Sequence, residues 1–155
     1  MQVFAGFSPV EGKALEGGDL YFTPNSDSAL PPELHLKTSE DFSVVLEKGQ
    51  APELRLHMPT HITTALVVKS AIIIPNMDSM QYRKIRVGDL VVDNNEWTLC
   101  VDRMKLLKEN PGLITVVDGQ IHEPNNSVGV CFGVWKIIRR IESYVDEVLF
   151  GFSGN

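Results

Sequence analysis

The chain has 155 residues, of which 43% are hydrophobic and 22% charged, with a net charge of −6 at pH 7 and a pI near 5.1. That length suits one ordinary domain over residues 1–155, and the composition excludes a disordered polymer. The acidic balance argues against a nucleic-acid backbone or an anionic membrane as main partner, and no run approaches the roughly 20 apolar residues of a spanning helix.

The first residues (MQVFAGFSPVEGK) lack a basic region, an apolar stretch and a cleavage site, so a non-secreted, cytoplasmic chain is expected, or a virion protein if phage-derived. Two short apolar patches, Val3 to Phe7 and Leu20 to Phe22, are separated by Gly12, Gly17 and Gly18 and read as an N-terminal hairpin or arm within residues 1–32. Pro31 and Pro32 make Asn25 to Pro32 a loop, because both fix the backbone and remove donors. Strands follow. Leu34 and Leu36, then Phe42, Val44 and Leu46, then Leu54, Leu56 and Met58 alternate with polar neighbours, and the turns at Ser39 to Asp41 and Lys48 to Gln50 predict an antiparallel meander. From Ala65 to Ile74 (ALVVKSAIII) the apolar residues run almost unbroken until Pro75, as in a buried core strand or a pair of strands; an exposed assembly strand is the other reading. Met77 and Met80 in the next loop are either adaptable contact residues or gap fillers.

The segment RVGDLVVDNNEWTLCVDR, Arg86 to Arg103, predicts a hairpin: Leu90 and Val92 lead into Asp93 to Glu96, and Trp97, Leu99 and Val101 return. It resembles the ValGlyAsp-led hairpins of small β-barrels, including SH3-like domains and phage head-to-tail connector proteins. The likeness covers fewer than twenty residues and carries no role for any of them. Asp102 to Asn110 is expected to form a short helix stopped by Pro111 and Gly112, and Leu113 to Val117 another strand. Val128, Val130, Phe132 and Val134 alternate with Gly129, Cys131 and Gly133, a small-residue face that another backbone could approach.

Val134 to Phe150 (VWKIIRRIESYVDEVLF) is the most regular stretch. Val134, Ile137, Ile138, Ile141, Val145, Val148 and Leu149 fall on one arc of a helix, with Tyr144 at its margin, and Gly151 reads as a stop. Adjacent Ile137 and Ile138 break strict strand alternation, and a strand would also put Arg139, Ser143 and Glu147 on the face of Ile137, Ile141 and Val145. The helix carries its own objections. Lys136, Arg139 and Arg140 precede Glu142, Asp146 and Glu147, an order that opposes the macrodipole; Lys136/Arg140 and Glu142/Asp146 are like-charged at i,i+4. Such a helix needs burial against a sheet or a neighbouring chain.

Chemistry is sparse. The sequence contains no GxGxxG, GxxxxGK[ST], HExxH or GxSxG signature. Cys100 and Cys131 belong to no CxxC pair and are expected to be reduced, buried thiols. Of His35, His57, His61 and His122 only His57 and His61 have suggestive spacing, and Pro59 between them opposes a shared metal. Asp89, Asp93 and Asp102 cluster near one hairpin, with His122 and Glu123 as a candidate base pair, yet turn formation explains most of these positions. No catalytic residue, metal ligand or cofactor is assigned.

These patterns point to a mainly β (α+β) chain: an antiparallel β-sandwich or barrel with a C-terminal amphipathic helix and a short helix after the 86–103 hairpin. The expected role is a non-catalytic structural or assembly subunit, of phage-type virion or tail character, working through protein–protein contacts in a homo-oligomer or multi-protein assembly. Its interface is placed on Ile137, Ile141, Tyr144, Val145, Val148, Trp135 and Trp97. The alternatives are an acidic inhibitor or immunity-type protein binding a basic enzyme site and a small hydrolase using Asp89, Asp93 or Asp102.

Overall fold

A computed structural model describes residues 7–25, 27, 29–48, 51–57, 64–103, 111–142 and 145–154. Among the described residues the architecture is three antiparallel sheets, none closed into a barrel. In the first, β1 (Phe7–Glu11), β2 (Leu20–Thr23), β3 (Glu33–Lys37), β4 (Ser43–Lys48), β5 (Ala51–His57) and β6 (Thr64–Val68) lie in the order β1-β6-β2-β3-β4-β5. The expected meander is β3 to β5. Most of the first patch of the expected N-terminal hairpin or arm, Val3 to Gly6, lies outside the described residues; β1 and β2 do not pair with each other, because β6 inserts between them.

Ala65 to Ile74 is a pair of strands in two different sheets. Ser70, at φ 60, turns β6 into β7 (Ala71–Pro75), which belongs to a sheet with β14 (Val134–Glu142) and β15 (Val145–Ser153) in the order β15-β14-β7. The remaining sheet holds β8 (Met80–Lys84), β9 (Leu90–Asp93), β10 (Glu96–Val101), β11 (Gly112–Thr115), β12 (Ile121–His122) and β13 (Val128–Phe132) in the order β12-β11-β10-β9-β13-β8. The β9–β10 turn puts Asn94 and Asn95 at φ 49 and 63, and Asn tolerates this left-handed region better than most side chains.

The C-terminal helix is not present. Val134 to Glu142 and Val145 to Ser153 form an antiparallel hairpin, with bulges between Ile137 and Ile138 and between Arg140 and Glu142. The first bulge, opposite Leu149, restores the register after the adjacent isoleucines, which bury on opposite faces and so mimic a helical stripe. The charge order that was wrong for a helix is right for this hairpin. Arg139 stands opposite Glu147 and Arg140 opposite Asp146, each pair ion-paired. The arginine that shares the Ile137 face is accommodated there, since its guanidinium bonds Glu147 and lies 4.2 Å from the Phe7 ring centre. The short helix expected between Asp102 and Asn110 falls at 104–110, outside the described residues; Asp102 itself bridges to Arg55 of β5.

One core joins the three sheets. Leu36, Val44 and Leu56 from the first, Leu90, Leu99 and Phe132 from the second, and Trp135, Ile137 and Phe150 from the third are among its buried members. Trp135 Nε1–H donates to the Gly88 carbonyl (2.8 Å) between the rings of Phe150 and Phe152. Gly88 is at φ +96 and a Cβ there would meet the Phe152 ring at 2.2 Å, so this contact requires glycine. Of the small residues, Gly133 is approached by another backbone, the Gly154 amide donating to its carbonyl at 2.8 Å, whereas a Cβ on Gly129 would meet only side chains at ordinary contact distance. No helix among the described residues is long and apolar enough to cross a membrane.

Candidate interaction surface

On one face of the second sheet, cross-strand register aligns two apolar rows. Trp97 pairs with Val92, Val92 with Val130 and Val130 with Tyr82, a line across β10, β9, β13 and β8 that spans roughly 14 Å at the usual strand spacing. Two residues along the same strands, Leu99, Leu90, Phe132 and Met80 form the parallel row. Leu99, Leu90 and Phe132 are sealed in the shared core, whereas Trp97 (43%) and Tyr82 (77%) are exposed, as are Val92, Val130 and Met80. Trp97 leans on the row behind it, its ring 5.4 Å from that of Phe132. The result is a contiguous band of aromatic, β-branched and thioether surface open to solvent, continuous with the core beneath it.

The opposite face of this sheet is closed. Val91, Cys100, Leu113 and Cys131 pack together there with Ile85. Asp89 is buried at its end, accepting from both Arg83 Nη atoms (2.7 and 2.8 Å) and from the Arg86 amide (2.7 Å). The two thiols lie on β10 and β13 with β9 between them, about two strand spacings apart and too far for a disulfide. Burial pushes the Cys100 thiol up to about 12, with the Asp89 charge adding to it, and raises Cys131 by the same causes.

The other carboxylates are engaged as well. Asp102 lies 3.8 Å from Arg55, and Glu123 3.3 Å from the buried Arg103. Thr115 Oγ1, His122 Nε2 (3.1 Å), His122 Nδ1 and Asp93 Oδ2 (3.7 Å) follow the hydroxyl–imidazole–carboxylate order of a nucleophilic relay. Thr115, however, is 4% exposed and the last separation exceeds a hydrogen bond, so the contacts serve as cross-strand ties. None of Asp89, Asp93 and Asp102 lines either of two cavities. One, of about 260 Å³, lies between the sheets against Leu36, Leu46, Leu99, Ala71, Trp135 and the exposed Val117; the other is a groove of about 400 Å³ along Ile74 to Met77 and Val134 to Lys136. No group of three or more His, Cys, Asp or Glu among the described residues could hold a metal ion.

No protein family, curated protein or solved structure matches the chain.

Of the interface residues read from sequence, Trp97 lies in the exposed row, whereas Trp135 and Ile137 are in the core. Val148 is exposed on the third sheet, in register with Ile138 and, across it, with the exposed Ile72. Tyr144 and the side chains of Ile141 and Val145 lie outside the described residues, as does His61. The sequence pattern marks Val92 and Val130 only as alternating strand residues. Nothing in the pattern around Tyr82 marked it, because its place in the row depends on β8 pairing with β13, 48 residues away in sequence.

A buried polar cluster spans neighbouring strands of the first sheet. Tyr21 Oη donates to Ser43 Oγ (2.6 Å), His35 stacks on Tyr21 at 5.1 Å, and His35 Nε2 is 3.0 Å from Glu33. Burial pushes the Tyr21 phenol up to about 12 against the opposing hydrogen bond with Ser43. These contacts tie β2, β3 and β4 together side by side.

Proposed function

We propose that the protein is a non-catalytic structural subunit that assembles with further copies of itself, of the kind used in a phage-type virion or tail component. The observation that carries this reading is the exposed row Trp97, Val92, Val130 and Tyr82. Aromatic anchors flanked by valines, on a rigid sheet and backed by a closed core, are the composition that interface centres favour. β8 adds an edge strand whose Met80, Gln81 and Tyr82 are exposed, next to the row, so that side-chain and backbone contacts can be made at one place. The third sheet offers a second apolar site at Ile72, Ile74 and Val148 for contact with neighbours in a larger array. The net charge of −6 is neither concentrated on the row nor needed by this reading.

Light scattering over a range of concentrations, at low and moderate salt, tests the proposal. The expected result is a defined oligomer above the 17.2 kDa chain, little affected by salt because the contact is apolar, and dissociated by the double substitution Trp97→Ser with Tyr82→Ser. A monomer at every concentration, or a double variant that assembles like the wild type, would sink it. An acidic inhibitor would behave in the first of those two ways.

A further inference from the structure

The 260 Å³ cavity between the sheets has properties the assembly reading does not use. All three sheets contribute to its wall: Leu36 and Leu46 from the first, Leu99 from the second, Ala71, Ile73 and Trp135 from the third. No charged side chain of the described residues lines it. The one aromatic N–H in the wall, Trp135 Nε1, is already committed to the Gly88 carbonyl, so this side chain offers a guest only carbon. The floor is buried while Val117, at the rim, is 85% exposed, which gives a small molecule a way in from solvent. The rim is held by backbone: Gly18, at φ +93, packs so closely that a Cβ there would lie 2.1 Å from the Val117 carbonyl oxygen.

We infer that this cavity is a binding site for one small, neutral, hydrophobic molecule, an aryl or short alkyl compound without a charged head. An apolar cavity of roughly 150 Å³ stays dry and takes benzene, so a space of this size suits about ten carbon atoms by proportion. A carboxylate or ammonium placed there would find no counter-charge among the described lining residues, so selection runs against charged analogues of the same shape. Trp135 and Leu99, from different sheets, provide flat and branched apolar surface in its wall.

The test uses the full chain and naphthalene as probe, with 2-naphthoate as its charged counterpart. Calorimetry should show saturable one-to-one binding of naphthalene and binding of 2-naphthoate weaker by roughly tenfold or more. Methyl resonances of Leu46, Leu99 and Ile73 should shift with naphthalene, and those of Val92 and Val130 should not. Ala71→Leu, which fills the space, should weaken naphthalene binding by about tenfold or more, and Ile73→Phe serves where the first substitution does not fold. Trp97→Ser on the exposed row should leave affinity within about twofold, which separates this site from the assembly surface. No saturable binding by the wild type, equal binding by the folded filling variant, equal affinity for 2-naphthoate, or shifts confined to Val92 and Val130 would each overturn the inference.

Discussion

Two rows on one face of the second sheet have nearly the same composition and opposite fates. Leu99, Leu90 and Phe132 are closed into the core, and Trp97, Val92 and Val130, two residues along the same three strands, are open to solvent. Alternation assigns both rows to the same face, since the side-chain period of a strand is two. It does not say how far along the strand the opposing layer reaches. Here the first and third sheets cover the end of β9, β10 and β13 that carries the inner row, and the hairpin end projects past them. Apolar residues that continue beyond the covering layer are costly to leave in water, and that continuation is what marks the outer row as a contact surface.

The contrast can be broken at the inner row first. Phe132→Ala should cost about 3–5 kcal/mol in urea unfolding, because the surrounding sheets cannot collapse into the space. A loss well under 1 kcal/mol would mean that the inner row is not packed as described. A comparable loss, about 3–5 kcal/mol, is expected from Asp89→Ala, which strips the buried Arg83 pair and the Arg86 amide contact from the start of β9. Unfolding of the variant at neutral pH measures it. Alkaline titration comes next. Cys100 and Tyr21 have folded values of about 12 against ordinary values of 9.0 and 10.0, so between those limits the unfolded chain has lost protons that the folded chain retains. Stability attributable to these groups is therefore complete below pH 9 and falls as pH rises, by roughly 3–4 kcal/mol between pH 8 and 11. Cys100→Ala should remove the larger part of that slope, as read from melts across the pH range. The smallest effect belongs to the outer row: Val130→Ser should lower the unfolding free energy of the dilute monomer by about 1 kcal/mol or less, mainly through lost strand preference. A large loss there would show that the outer row is core after all.

The parts of the fold that were legible are those in which pairing is local. β3, β4 and β5 follow one another with short turns, and Asn94 and Asn95 supply the turn between β9 and β10 from their own conformational tolerance. The C-terminal hairpin reads as a helix in the sequence because its bulges disguise the period of two, and its charges look like i,i+4 neighbours when they are cross-strand partners. Insertion of β6 between β1 and β2 depends on contacts more than forty residues apart, for which no local residue type is a signal. The candidate surface was half visible. Trp97 stood out by its chemistry, but Tyr82 and Val130 join it only through the order β10-β9-β13-β8, and Trp135 was drawn in by the same chemistry although Gly88 and two phenylalanines enclose it.

The two tryptophans also provide the most direct measurement. Acrylamide quenching of tryptophan fluorescence, followed as protein concentration is raised, reads Trp97 as the accessible component against the buried background of Trp135. If the outer row is the contact between copies, the accessible component should shrink as concentration rises while the buried one stays constant. An accessible component of the same size at every concentration would contradict the account.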